Sequence, residues 1–345
     1  MEKKKNHILP ETLYGELLIS EIEKLSDETE WLAEGFMTEP SITMIYGTDG
    51  MGKSFVGFQN AVELASGLPL LHAFPVKEPK RVIYCPAERS IKEPLKRMKD
   101  MLKTERIKDN IKPQNLCVTT SFQGRDISNK MVSDLLIAKL INMSETIGGA
   151  DCVYFDPLYA LVKGDLKSDE AINGVFDFFR RVGNELGASV VFIHHENRGQ
   201  RMDGEKERSG QDYYGNKFIS GLCTSIYHMK KENKNEEMRT VLINEKDTDR
   251  VLAPRIELEY HPELATVKAN IGSSPIIKEI KLREYLNAKQ SSGTTFTSEE
   301  LFSTLGINVH PVNKRKMMAG WIRLGRIKNL AVNGAKGIYS ATGIF

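Results

Sequence analysis

No apolar run in this chain approaches the length that a bilayer-crossing helix requires, and the opening residues Met1-Glu2-Lys3-Lys4-Lys5 lead into no signal-peptide core. Membrane insertion and export are therefore not expected. Cysteine is scarce too: Cys85, Cys117, Cys152 and Cys223 are the four in 345 residues, scattered and each inside an apolar, strand-like stretch. Such spacing argues against a disulfide framework or a metal cluster and reads as small buried hydrophobes in a reducing, cytoplasmic setting. Internal repeats and low-complexity segments are absent. Net charge is small, +2. What remains is an ordinary globular composition, 40% apolar and 27% charged, in a chain long enough for one large domain and one small one.

The charge is unevenly spread. From Pro275 onward eleven Lys and Arg stand against four Asp and Glu, a balance of +7, while the remainder carries 37 against 42, or −5. A basic tail on a mildly acidic body points to a polyanionic partner for the tail.

Leu13, Leu17, Leu18, Ile22 and Leu25 keep a helical rhythm, so residues 1–40 are expected to form a helical lead-in, packed on the core's edge or docked on a neighbouring subunit. From 42 to 270 short apolar runs (42–46, 81–85, 116–120, 151–155, 189–193) alternate with amphipathic ones (53–66, 89–104, 129–147, 169–186). That pattern describes an α/β domain over 41–271 with a mostly parallel sheet covered on both faces. Strands at 224–229, 239–244, 255–260 and 264–269 should extend the sheet in antiparallel fashion. After Gly272-Ser273-Ser274-Pro275, residues 275–345 carry three helical stretches and a hairpin turning at Asn333-Gly334. Such an order describes a winged helix-turn-helix. Lys314, Arg315 and Lys316 fall near the start of its third helix, where such helices meet a DNA groove. A module used only for protein contacts has the same pattern.

The stretch that organises the chain is Gly47-Thr48-Asp49-Gly50-Met51-Gly52-Lys53-Ser54, a complete match to G-x-x-x-x-G-K-[ST]. An apolar run, Ile42-Thr43-Met44-Ile45-Tyr46, precedes it, and Phe55, Val56, Phe58, Ala61, Val62 and Leu64 follow at helical spacing. The motif thus has its required strand–loop–helix setting. Backbone N–H groups freed by the glycines, with the helix N-terminus behind them, would cradle a polyphosphate. Lys53 would reach the β- and γ-phosphates and Ser54 would ligate Mg²⁺, with ATP as the expected nucleotide and Phe55 beside it.

Two carboxylates are candidates for the chemistry. Asp156 ends the run Cys152-Val153-Tyr154-Phe155 and is expected at the C-terminal edge of a strand beside the phosphate loop, on the Mg²⁺ shell. Glu88 follows Val82-Ile83-Tyr84-Cys85-Pro86-Ala87 and would polarise the attacking water; a helix N-terminal Glu offsetting the dipole is the plainer alternative.

Strand, Ala-Glu and then a basic helix resembles the catalytic-glutamate segment of RecA-fold ATPases, particularly the ring-forming plasmid RepA helicases and their DnaB-type relatives, over roughly 30–260. Val190-Val191-Phe192-Ile193-His194-His195 is similar to the strand in which that family carries a γ-phosphate sensor, so the resemblance implies that role for His194 or His195. It implies that the loop after Glu196 lines a channel and grips single-stranded DNA. Arg198, Arg201, Lys206, Arg208 and Lys217 would meet phosphates there, and Tyr213 and Tyr214 would stack on bases. Five acids match the five bases of that loop, so a solvated loop is equally in keeping with it. Ring relatives also use a Lys–Arg pair that reaches the neighbouring subunit's γ-phosphate. Lys246 and Arg250 are the candidates, Lys246 the stronger because three residues intervene here where one is usual.

The expected whole is a RecA-like P-loop NTPase core with a mixed, mostly parallel sheet, plus a small C-terminal winged-helix domain. The function implied is an ATP-dependent DNA helicase acting as a homo-oligomeric ring, a hexamer, on single-stranded DNA in replication. The tail would contact duplex DNA or a replication protein. A filament-forming RecA- or RadA-like recombinase and an ATP-gated DNA-binding regulator are the rivals.

Overall fold

The alternation of apolar and amphipathic runs folds as strands and helices in the same order. The computed structural model of the chain describes residues 30–88, 90–196, 218–234, 237–247, 255–270, 275–305, 311–323, 325–330 and 338–342. Two short strands, β1 (Trp31–Ala33) and β2 (Met37–Thr38), lead to β3 (Ile42–Gly47) and helix α1 (Lys53–Ser66). Then follow β4 (Val82–Pro86), α2 (Lys92–Met101), α3 (Glu105–Lys108), β5 (Leu116–Val118) and α4 (Lys130–Thr146). Next come β6 (Cys152–Asp156), α5 (Asp169–Leu186), β7 (Ser189–His195) and α6 (Ile219–Leu222). The body closes with β8 (Ser225–Lys234), β9 (Glu237–Asp247), β10 (Arg255–His261) and β11 (Thr266–Asn270).

Among the described residues nine strands form one sheet in the order β11-β10-β9-β8-β3-β7-β6-β4-β5. From β8 to β5 every neighbour is parallel; β9, β10 and β11 run antiparallel. The fold is therefore α/β with a mixed, mostly parallel sheet. Two expectations need correction. The strand beginning at Ser225 is the last parallel strand, not the first of the antiparallel extension. And β6 is not beside the phosphate-loop strand: β7 lies between them.

Parallel strands buried on both faces read as unbroken apolar runs, and β4 and β6 are buried at every residue. One face packs on α1, through Val56, Ala61, Val62 and Leu64; the other packs on α4 and α5, through Leu136, Ile172, Phe176 and Phe179. Local signals fix the helix ends. Ser168 accepts from Ala171 N–H at the start of α5, Asn129 from Val132 N–H at the start of α4, and left-handed glycines close α1 and α5.

Of the helical lead-in expected over 1–40, residues 1–29 lie outside the described part. The described end is strand: Trp31 pairs with Thr38 and Ala33 with Met37. Leu32, Ala33, Phe36 and Met37 are all fully buried, a spacing that a helical face would share. Tertiary contacts decide otherwise, because the Phe36 carbonyl accepts Tyr227 Oη at 2.6 Å and Glu34 N–H donates to Pro75.

The tail has its own apolar cluster, built from Leu282, Leu286, Phe296, Leu301, Phe302 and Met318 among others. Its elements are α7 (Pro275–Ser292), β12 (Phe296–Thr297), α8 (Ser298–Thr304), α9 (Pro311–Arg323), β13 (Ile327–Asn329) and β14 (Ile338–Ala341), with an antiparallel sheet ordered β12-β14-β13. Arg283 of α7 pairs with Glu34 at 2.9 Å. Cys85, Cys152 and Cys223 are buried, Cys117 is half-buried, and all four are free thiols. No helix among the described residues is long and apolar enough to cross a membrane.

Candidate nucleotide site

The phosphate loop leaves β3 and enters α1, and two of its glycines are dictated by space. A Cβ at Gly47 would lie 2.1 Å from the Met229 carbonyl oxygen, and one at Gly52, whose φ is +87°, would meet Tyr260 Oη at 2.9 Å. Tyr260 in turn donates to the Met51 carbonyl at 2.8 Å, bracing the loop from β10. Lys53 is 5% exposed and its ammonium donates to the carbonyls of Gly47 at 2.8 Å and Thr48 at 2.7 Å. Burial pulls its pKa down to about 8, against the pull of Asp156, Glu196 and Glu88, which favour the charged form.

Asp156 ends β6, opposite Pro86 of β4. One carboxylate oxygen accepts Ser54 Oγ at 2.8 Å and the other accepts Tyr84 Oη at 2.5 Å. Burial raises its pKa, while the two hydroxyl donors and Arg97 oppose the rise. Ala87 N–H donates to the Asp156 carbonyl at 2.7 Å, which ties the end of β4 to the same sheet edge. Glu88, the next residue, is exposed and lines one cleft with Ser54, Tyr84, Glu93, Arg97 and Asp156. So β7 intervenes between the strands, yet Glu88, Asp156, Lys53 and Ser54 still converge, because the sheet delivers every parallel strand's C-terminal end to one rim.

The paired histidines part company. Side chains alternate across a strand: His195 shares the α1 face and its Nδ1 hydrogen-bonds Asp49 Oδ1, with Tyr159 edge-on at 4.6 Å. Burial and the nearby Lys53 lower the His195 pKa. His194 is fully buried in register with Tyr46, on the face of α4 and α5. His195 is thus the histidine seen bonded to the phosphate loop.

Lys246 is not brought to this cleft. Lys246 pairs with Ile226 and is therefore level with Met44, about 10 Å of strand before Gly47. Its ammonium donates to the Ser220 carbonyl at 2.5 Å. Arg250 lies outside the described residues, as do Arg198, Arg201, Lys206, Arg208, Tyr213, Tyr214 and Lys217. On α9, Arg315 and Lys316 are exposed, while Lys314 is half-buried with its ammonium 5.4 Å from the Phe302 ring centroid.

Sequence reasoning missed two residues of the cleft. Tyr84 sits mid-strand, where apolar character hides a hydroxyl donor. Arg97 donates to the Ser54 carbonyl at 3.1 Å and stands 5.9 Å over the Phe55 ring. It is one of several basic residues on α2, and sequence alone does not say which faces inward.

The donor set fits Mg²⁺. That ion takes one or two protein oxygens and completes its octahedron from phosphate and water, and Ser54 Oγ with the Asp156 carboxylate offers two hard oxygens side by side. Among the described residues no group of three or more His, Cys, Asp or Glu could hold a metal unaided.

No curated protein matches the chain at a significant level. The family described as the AAA domain matches residues 10–201, a span that holds the phosphate loop, Glu88, Asp156 and His195. With more than half its length inside that pattern, the chain belongs to the AAA domain family of P-loop ATPases.

Proposed function

We propose that this ATPase is a DNA helicase or translocase that works as a homo-oligomeric ring, a hexamer, in DNA replication. The observation that carries the motor half of the reading is the convergence of Glu88, Asp156, Ser54 and Lys53 on one sheet edge. Glu88 takes the proton of the attacking water, and its exposure leaves it open to solvent as that role requires. Lys53 turns from the loop carbonyls to the β- and γ-phosphates. Mg²⁺, held by Ser54 and Asp156, would neutralise charge on those phosphates. Arg97 adds a cation from α2, and His195, bonded to the loop at Asp49, reads whether a γ-phosphate is present. Such charge stabilisation is most of what phosphoryl transfer asks of a protein.

The ring half rests on other features. Lys246 lies at a distance from its own phosphate loop, which is compatible with service to a neighbouring subunit. The loop following Glu196 is assigned to single-stranded DNA. Residues 41–271 form the ATPase domain and 275–345 a winged helix-turn-helix. Arg315 and Lys316 on α9 are directed to duplex DNA or to a replication protein. The test is strand displacement on a forked duplex, with ATPase rates measured with and without single-stranded DNA and particle size measured with a non-hydrolysable ATP analogue. Stimulated hydrolysis, a closed oligomer and displacement support the proposal. Open filaments on single-stranded DNA without displacement would point to a recombinase instead.

A further inference from the structure

An ion cluster beside the nucleotide site, with His228 and Glu196 buried and Glu245 at its exposed edge, belongs to no motif. His228, on β8, is 3% exposed and lies stacked on Tyr46 with ring centroids 4.3 Å apart. Its Nδ1 is 3.0 Å from Glu245 Oε1, and the other oxygen of that carboxylate accepts Tyr46 Oη at 2.5 Å. Its Nε2 faces Glu196 Oε2 at 4.0 Å. Burial by itself would lower the imidazole pKa, but Glu196 and Glu245 hold it up to about 9, so the ring is a cation at neutral pH. Glu196 follows His195, its N–H donates to the Gly47 carbonyl at 3.0 Å, and its carboxylate acts on the charge of Lys53. One buried carboxylate thus lies 4.0 Å from one cation and acts electrostatically on a second, the lysine that a triphosphate needs.

We propose that His228 is a positioning residue: anchored by Glu245 and stacked on Tyr46, it holds the Glu196 carboxylate back from the phosphate loop and keeps Lys53 available to an anionic phosphate chain. The inference rests on the nucleotide reading given above. Without the imidazolium, Glu196 is drawn toward Lys53. There it competes with the phosphates for the ammonium and adds a negative charge facing them. In a partly buried site such a charge at several ångströms is felt at the level of about tenfold in affinity.

The experiment uses the full-length chain. Equilibrium binding of the N-methylanthraniloyl derivative of ADP, with Mg²⁺, is compared in the wild type, H228Q, H228K, E196Q and H228Q/E196Q, each checked for folding by thermal melting. H228Q is expected to bind about tenfold more weakly. H228K keeps the charge and is expected within about threefold of the wild type. Removal of the offending carboxylate in H228Q/E196Q is expected to restore binding, an outcome that a merely structural role for His228 does not give. A double variant as weak as H228Q overturns the proposal, as does an H228Q that binds like the wild type or an H228K as weak as H228Q. If the wild type and every variant fail together to bind the probe, the nucleotide reading falls and this inference with it.

Discussion

Tyr84→Phe removes one oxygen atom from the core and tests the site at its least obvious point. The Tyr84 hydroxyl is buried and donates to Asp156 Oδ2 at 2.5 Å, while Ser54 Oγ donates to Oδ1 at 2.8 Å. Hydrogen bonds to an ionised group contribute about 1.5–3 kcal/mol. Burial already disfavours the Asp156 carboxylate, so losing one of its donors shifts it further toward the neutral acid. A neutral Asp156 is a poor partner for Mg²⁺. ATP turnover at limiting Mg²⁺ should therefore fall, most at acid pH, by no more than the about 10- to 150-fold that 1.5–3 kcal/mol represents. The sign with pH follows. The Asp156 pKa is raised in the folded chain, so the active carboxylate is gained as pH rises, and Tyr84→Phe should move the acid limb of activity to higher pH. The assay is kcat/KM for ATP across pH 5–9 at several Mg²⁺ concentrations. An acid limb and a Mg²⁺ dependence identical to the wild type would refute the reasoning, since the hydroxyl would then be ornamental to the carboxylate.

Arg97→Ala should weaken ATP binding by about tenfold and leave folding intact, because the guanidinium is partly buried at the cleft; fluorescence titration and thermal melting check it. His228 gives a pH-dependent contribution to stability. Its folded pKa of about 9 exceeds the unfolded value, so the contribution is complete below about 6.5 and is lost as pH rises through about 9. Thermal melting of the wild type should therefore fall across that window more steeply than that of H228Q. Replacing Arg315 and Lys316 together by Ala should weaken duplex binding by the tail and reduce the slope of log affinity against log salt by about 2, measured by anisotropy.

Much of this site was legible because phosphate chemistry constrains local sequence. Gly47 is required by the approach of the Met229 backbone and Gly52 by its positive φ against the Tyr260 side chain, so the motif declares itself wherever it occurs. Helix α5 was equally plain: Ser168 at its start, Gly187 at its end and a single apolar face between them. Strand neighbours were not legible. Nothing local in Cys152–Asp156 says that β7 will be inserted between it and β3, because pairing is a long-range choice. The paired histidines were visible, yet which one turns to the phosphate loop depends on the pleat and therefore on exact register. Arg97, Tyr84 and His228 were hidden for a different reason. Each acquires its meaning from partners 43, 72 and 17 residues away, and sequence proximity carries no trace of such pairs. At the N-terminal end, burial at 32, 33, 36 and 37 has a spacing shared by helix and hairpin, and contacts with Tyr227 and Pro75 decided between them.

Glu88→Gln gives the most direct test of the central claim, that this chain's sheet edge cleaves a triphosphate with Glu88 as the base. The measurement pairs ATP affinity with single-turnover hydrolysis in the same preparation. Affinity within about threefold of the wild type, with cleavage slowed by about 10²–10⁴, is the result expected when only the proton acceptor has been removed. Cleavage at the wild-type rate would contradict the account, because the carboxylate at position 88 would then be a bystander at the rim.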